Sequence, residues 1–243
     1  MSFPHTASFS RCLPRTYTGV NMTRNTFLAI CMFAAALITT TTAAAQGPTR
    51  DRDLVPFYED VRGGVCSTTM SNVGLITANT PMNTVLFNRT FRGQPNPIFC
   101  DPVLNPNGSQ MTLGQYTAAT GKAAVKCIRK GTHGVFSFKG LRPNGVYTIW
   151  IVLPDSVPGP PIGVGGLGRT GVSENGFVAN EDGEGQIGRI TPEQDLSIFG
   201  HVGACMLDSP FLFELVYHSD GQTHGGDPGP PNTWVTNARF LFP

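Results

Sequence analysis

Short apolar stretches separated by clusters of Gly, Pro, Asn and Asp run through most of the chain. Such stretches are typical of β-strands, and no segment shows the sustained 3.6-residue period of an amphipathic helix. The clearest predicted strands are 134–139, 146–153, 176–180, 186–190, 211–218 and 233–242, and the weaker ones are 73–78, 84–88 and 123–128. The pattern predicts an all-β protein, an antiparallel β-sandwich with long loops rich in Gly and Pro.

Two of these strands indicate where the core lies. In 146–153 both faces are apolar, with Tyr147 on one and Trp150 on the other, which favours a central strand covered on both sides. In 211–218 one face is aromatic and aliphatic, and we expect it to face the core. That face consists of Phe211, Phe213, Leu215 and Tyr217. His218 falls on the opposite face.

The stretch GLRPNGVYTIWIV, residues 140–152, joins a turn to a strand of β-branched and aromatic residues. It resembles the tyrosine corner of fibronectin type III and immunoglobulin-like sandwiches, in which a Tyr hydroxyl bonds to backbone near a Leu-x-Pro turn. The matching positions are Leu141, Pro143 and Tyr147. The resemblance implies a sandwich but no activity. About 90 residues follow, which favours a larger sandwich, immunoglobulin-like or jelly-roll-like; an ordinary turn is the alternative.

The segment 22–45 has the organisation of a secretory signal peptide. Arg24 precedes an apolar run over 27–38, and Ala43-Ala44-Ala45 predicts cleavage before Gln46. The apolar run is shorter than the ~20 residues that span a bilayer, so we expect no transmembrane anchor after cleavage. The predicted location is therefore secreted or periplasmic.

Residues 1–21 fit no signal pattern and are interpreted as an upstream mis-start or an unstructured extension, which leaves 46–243 as one exported domain. This domain has 14 basic and 16 acidic residues, a net charge of −2, without basic clusters. Its composition gives no case for binding nucleic acid or an anionic membrane.

The exported part contains an even number of cysteines, which predicts disulfides in an oxidising compartment. They are Cys66, Cys100, Cys127 and Cys205. We prefer the pairs Cys66–Cys100 and Cys127–Cys205 among the three connectivities that four cysteines allow. Zinc binding is the alternative, but the chain has no C-x-x-C spacing.

The run GVGGLG, residues 163–168, matches a dinucleotide-binding fingerprint, and Asp182 follows at a suitable distance. Three prolines precede it and no helical pattern follows, so we interpret it as a flexible surface loop. The run NEDGEGQI, residues 180–187, imitates a calcium loop with oxygen donors at Asn180, Asp182 and Glu184. Its twelfth position is Thr191 rather than a carboxylate, which favours the turn of a β-hairpin over a weak calcium site.

The run VYHSDGQTHGGDPGPPN, residues 216–232, contains the richest candidate chemistry. His218 and Asp220 have the H-x-D spacing that supplies two ferrous-iron ligands in jelly-roll oxygenases, and His224 is a third candidate donor. His133 or His201 are further donors that the fold could bring near. The many turn residues favour a polar loop beside a strand end, with a metal site as the first alternative and acid–base catalysis as the second.

The chain lacks a G-x-S-x-G elbow, an H-E-x-x-H pair and a Walker loop. The sequence therefore favours an exported, non-catalytic module with a binding or structural role and an extracytoplasmic ligand, either a carbohydrate or a protein. The alternative is a protein that binds a divalent metal through His218, Asp220 and His224.

Overall fold

The described part of the chain is mostly antiparallel β-structure, which confirms the all-β prediction. The computed structural model describes residues 49–66, 71–88, 101–153, 163–198, 201, 203, 205–230 and 232–243. The predicted signal peptide at 22–45 and the extension at 1–21 lie outside these residues. None of the described helices is long and apolar enough to cross a membrane.

The strands and the helices are all short. In chain order the strands are β1 (Thr49–Asp53), β2 (Val55–Pro56), β3 (Val61–Cys66), β4 (Ser71–Gly74), β5 (Leu86–Asn88), β6 (Thr120–Ile128), β7 (Gly131–Lys139), β8 (Val146–Leu153), β9 (Gly163–Gly166), β10 (Gly176–Val178), β11 (Gly185–Pro192), β12 (Phe211–His218) and β13 (Trp234–Phe242). The helices are α1 (Leu113–Thr117) and α2 (Glu193–Ile198), and Met206–Asp208 is a 3₁₀ turn.

The strands form three antiparallel sheets. The four-stranded sheet has the order β1-β6-β7-β11, and the six-stranded sheet has the order β10-β8-β12-β13-β2, with β9 paired to β8. A three-stranded sheet has the order β4-β3-β5. Because β12 lies between β8 and β13, both of its edges are hydrogen-bonded.

Aromatic rings join the two larger sheets. Phe136 of β7 packs edge-on against Phe213 of β12, with ring centroids 4.8 Å apart, and lies 5.6 Å from Phe240 of β13. The predicted core face of β12 is confirmed, since its four members are at most 2 % exposed. Burying each such side chain stabilises the fold by roughly 1.5–3 kcal/mol.

A β-bulge interrupts the pairing of β12 with β13. Leu215 pairs with Ala238 and Val216 with Thr236, so Asn237 is an extra residue on β13. The buried Asn237 side chain donates a hydrogen bond to the carbonyl of Tyr116 in α1 (2.9 Å). An extra residue reverses the alternation of side chains beyond it.

The flexible loop predicted for 163–168 is wrong, because Gly163–Gly166 forms β9 and pairs with β8 from Leu153 to Trp150. A strand with three glycines lacks the β-branched pattern that reveals strands in sequence. At position 166 a larger residue would crowd Asn175, since a Cβ there would lie 2.9 Å from the side-chain nitrogen of Asn175.

The hairpin predicted at 180–187 is also wrong. β10 pairs with β8 and β11 pairs with β7, so this turn carries the chain from one sheet to the other. The side-chain oxygen of Asn180 accepts hydrogen bonds from the amides of Asp182 (3.1 Å) and Glu184 (2.8 Å). This candidate calcium donor therefore stabilises the turn itself.

One predicted disulfide is confirmed. Cys127 in β6 and Cys205 are bonded, with Cα atoms 5.3 Å apart. Cys66 also forms a disulfide. Cys100 lies outside the described residues, so the Cys66–Cys100 pair stays a prediction.

We expect the double variant Cys127→Ala, Cys205→Ala to lose roughly 2–5 kcal/mol of unfolding free energy. The bond links positions 78 residues apart, and its removal gives the unfolded chain more freedom. Urea unfolding without reductant measures the change. Equal midpoints and slopes for variant and parent would contradict the expectation.

The turn before β8 contains a hydrogen bond between Tyr147 and the backbone. The amide of Arg142 donates to the Tyr147 hydroxyl (2.8 Å), and the ring is 1 % exposed. Burial raises the pKa of this hydroxyl, which keeps it neutral. The bond fastens the turn to the strand that follows it.

Replacing Tyr147 with Phe leaves the Arg142 amide without this acceptor, and we expect a loss of roughly 1–3 kcal/mol in unfolding free energy. Denaturant unfolding measures it. Tyr58→Phe is the matched control, because Tyr58 is 38 % exposed and its hydroxyl has no partner among the described residues. If both variants unfold at the parent's midpoint, the Tyr147 bond contributes nothing to stability.

Candidate functional site

The six-stranded sheet has a second face, opposite the aromatic core, and this outer face holds the candidate site. Alternation along β8, β12 and β13 places polar and aromatic side chains there. They include Thr148, Trp150, Glu214, His218, Trp234 and Thr236, with the aliphatic Val216 between them. The bulge at Asn237 brings Arg239 to the same face, where it meets Glu214.

A cavity of about 400 Å³ lies on this face, and we call it the outer groove. Its lining comes from β8, β9, β12, β13, the segment before β3 and the loop 219–233. The lining residues are Asp60, Trp150, Val152, Val164, Glu214, Val216, Gly226, Asp227, Pro228, Trp234, Thr236 and Arg239. The volume lies within the range of small-ligand sites.

Both tryptophans of the chain line the outer groove. The Trp150 indole N–H donates to Thr148 Oγ1 (2.8 Å), and the side chain is nearly buried. The Trp234 indole N–H donates to the carbonyl of Gly229 (3.2 Å), which ties the loop to β13. Both indole donors are therefore already in use.

The outer groove has more negative than positive charge. Arg239 donates to Glu214 Oε1 from Nε (2.9 Å) and from a terminal nitrogen (2.5 Å), and its guanidinium carbon lies 3.3 Å from the centroid of the Phe57 ring. Asp60 and Asp227 each accept one backbone hydrogen bond, from Thr236 and Gly229. Two carboxylates therefore remain without a cationic partner among the described lining residues.

The sequence did not predict the outer groove. Alternation in 211–218 places Glu214 on the outer face with His218, which was an available signal. In β13 the bulge shifts the alternation, so the sequence pattern does not show that Arg239 lies opposite Glu214. Asp60 comes from a segment about 90 residues before Trp150, and no local pattern points to it.

A cluster of three candidate ligands lies at the end of β12. One nitrogen from each imidazole of His218 and His224 and one carboxylate oxygen of Asp220 lie within 4.8 Å of one another. His224 Nε2 donates to Asp220 Oδ2 (2.6 Å), and the two imidazole rings have centroids 6.0 Å apart. The structure thus brings together the three residues that the spacing suggested.

His218 is the last residue of β12, as in the predicted strand 211–218, and its side chain is buried, at 1 % exposed. Its Nε2 is hydrogen-bonded to Thr148 Oγ1 (2.8 Å), the same oxygen that accepts from Trp150. Its Nδ1 is buried and has no hydrogen-bond partner among the described residues. The local sequence does not reveal this burial, because the side chains that cover His218 come from β8, about 70 positions away in the chain.

The loop 219–233 is fixed at both ends and in the middle. The Ser219 amide donates to the carbonyl of Thr233 (2.8 Å). His224 has φ +53°, and a Cβ on Gly229 would lie 2.3 Å from the His224 ring, so only glycine fits there. Sequence composition suggested no such support for the imidazole.

Burial lowers the pKa of His218 to about 4, and His224 acts in the same direction while the Asp220 carboxylate opposes them. The imidazole is therefore neutral near pH 7. Neutral imidazole is the form that binds metal ions.

His133 and His201, the other donors considered, do not join the cluster. His201 Nε2 is hydrogen-bonded to the carbonyl of Cys205 (2.9 Å), beside the disulfide. His133 lies in β7, in the four-stranded sheet, where it pairs with Ile190.

A larger hollow of about 800 Å³ lies against the four-stranded sheet, but its chemistry is poorer. Its charged groups include an ion pair of Lys139 with Glu184 (3.2 Å), with side chains 77 % and 50 % exposed. Exposed pairs of this kind contribute little to affinity or stability. The outer groove and the histidine cluster are the better candidates.

Comparison of the chain with protein-family models, with curated proteins and with solved structures finds no match.

We expect the pH dependence of stability to report the burial of His218. Between pH 6.5 and 4 the unfolded chain binds a proton that the folded protein does not. The free energy of unfolding should therefore fall as pH falls through this window, by up to about 1.4 kcal/mol per pH unit. Urea unfolding with a chelator present measures the slope. His218→Gln should remove this part of the slope, and an unchanged slope in that variant would contradict the assignment.

Proposed function

We propose that this protein is an exported, non-catalytic β-sandwich module that binds a cationic segment of a partner protein in its outer groove. Export is supported by the signal-like segment 22–45 and by the disulfide Cys127–Cys205. The sandwich is supported by the aromatic contacts between the two larger sheets. The hydrogen bond of Tyr147 to Arg142 supports the likeness to fibronectin type III or immunoglobulin-like modules.

The single observation that carries the binding proposal is the balance of donors and acceptors in the groove. Both indole N–H groups are engaged, with Thr148 and Gly229, and Nε and one terminal nitrogen of Arg239 donate to Glu214. The carboxylates of Asp60 and Asp227 offer acceptor oxygens beyond their single backbone bonds. The groove therefore suits a ligand group that donates hydrogen bonds and carries positive charge.

A Lys ammonium or an Arg guanidinium is such a group, because it has donors and no acceptor. The indoles favour the same ligand, since aromatic faces attract cations. A neutral sugar fits less well, because each hydroxyl both donates and accepts, whereas the groove offers carboxylate acceptors and both of its indole donors are engaged. The volume of about 400 Å³ accommodates one long side chain with a short flanking segment.

A binding role also agrees with what lines the groove. The described lining contains no Ser, Cys, His or Lys, and its charged groups are three carboxylates and one guanidinium. Its polar groups are held by neighbouring backbone or by each other, as expected of a preformed recognition surface.

Intrinsic fluorescence tests the proposal, because both tryptophans report from the groove. We expect capped Gly-Lys-Gly and Gly-Arg-Gly peptides to change the emission saturably, and capped Gly-Gln-Gly and chitotriose to leave it unchanged. Asp60→Asn and Asp227→Asn should each weaken peptide binding about tenfold, ~1.4 kcal/mol. Added salt should weaken it further.

Glu184→Gln is the matched control, since Glu184 is a partly exposed carboxylate in the turn before β11, outside the groove lining. It should bind the peptides like the parent. Saturable binding of chitotriose without binding of the cationic peptides would replace the proposal with a carbohydrate-binding role. Equal peptide affinity in the parent and both Asp variants would show that the peptides do not bind in the outer groove.

A further inference from the structure

We propose that His218, Asp220 and His224 form a binding site for one divalent transition-metal ion, with zinc as the best match. These three residues are not among the lining residues of the outer groove. The donors of the site are two imidazole nitrogens and one carboxylate oxygen within 4.8 Å of one another.

The donor types select the class of metal. Imidazole nitrogen suits zinc, copper, nickel and iron, whereas calcium and magnesium prefer sites made of oxygen donors. Two histidines and one carboxylate form a frequent zinc ligand set with three protein donors. Calcium and magnesium are therefore the poorer candidates here.

The distances are near those of a bound ion. Donors of a tetrahedral zinc ion lie about 3.3 Å apart when each metal–ligand bond is about 2.0–2.1 Å. Asp220 and His224 are now 2.6 Å apart and joined by a hydrogen bond. An ion between the two side chains replaces the proton that His224 Nε2 shares with Asp220 Oδ2, and it moves these two atoms slightly apart. The His218 nitrogen completes the set from the strand side.

The buried Nδ1 of His218 is an independent indication of a ligand. This atom has no hydrogen-bond partner among the described residues, and the side chain is 1 % exposed. An unsatisfied buried polar atom costs about 1–3 kcal/mol, so native structures rarely keep one without a reason. A metal ion at Nδ1 satisfies it directly.

The surroundings of His218 match those of a metal-binding imidazole. Its second nitrogen, Nε2, lies 2.8 Å from Thr148 Oγ1. With Nδ1 bound to metal, Nε2 carries the proton and donates it to Thr148, which fixes the ring orientation. The neighbouring Trp150 donates to the same oxygen and holds Thr148 in place.

The site has a rigid side and an adjustable side. His218 is fixed in β12, while Asp220 and His224 belong to the turn that follows and have side chains 22 % exposed. This exposure gives an ion access from solvent and leaves its fourth position to water. Three protein ligands with an open position distinguish the site from a closed structural zinc centre.

Zinc titration of untagged, chelator-treated full-length protein tests the proposal. We expect one equivalent of Zn²⁺ per chain by equilibrium dialysis with elemental analysis. Asp220→Asn and His224→Ala should each weaken binding at least tenfold, since each removes one of three ligands. Both residues lie in a surface loop, so the variants should keep the parent's circular dichroism spectrum.

His133→Ala is the matched control, because His133 lies on the other sheet, outside the cluster. It should bind zinc like the parent. Cobalt(II) as a second probe should give the strong visible absorption of a tetrahedral ion in the parent and in His133→Ala but not in His224→Ala. Less than half an equivalent of zinc in the parent, or equal affinity in the parent and His224→Ala, would overturn the proposal.

Discussion

The packing of aromatic rings between the two larger sheets is the contact on which the rest of the structure depends. Phe136 and Phe213 meet edge to face across the interface, and this contact commits one face of β12 to the core. Because side chains alternate along a strand, the opposite face of β12 is then committed to the outer surface. Glu214 and His218 reach their positions by this rule alone. The candidate sites therefore lie on the face of the six-stranded sheet that is opposite the hydrophobic core.

The sequence predicts best those strands that contain the strongest apolar signal. The limits of β8 and β12 match the predicted 146–153 and 211–218, since both strands are nearly continuous apolar runs in the middle of a sheet. β1 was missed because it is the charged segment TRDRD, held at a sheet edge by pairing with β6. Edge strands gain their structure from backbone hydrogen bonds to a neighbour, and these leave little trace in side-chain pattern.

In the candidate site, likewise, the sequence predicts what depends on neighbouring residues and misses what depends on contacts between distant strands. The proximity of His218, Asp220 and His224 could be predicted because seven consecutive residues contain all three. The burial of His218 could not, because Thr148 reaches it from another strand. The outer groove was beyond prediction for the same reason, as residues far apart in sequence line it. Local spacing identifies candidate ligands, whereas tertiary contacts decide their protonation and access.

The bulge at Asn237 determines which residues of β13 face the core and which face the outer groove. Trp234 and Thr236 point outward before it, and Arg239 points outward after it, while Val235 and Phe240 stay in the core. Substitution of any one of these residues changes one contact. Insertion or deletion of one residue elsewhere in β13 would instead exchange the inner and outer sides of the residues beyond it, so that charge would enter the core. Natural variation in β13 should therefore tolerate exchange of residues far better than a change in its length.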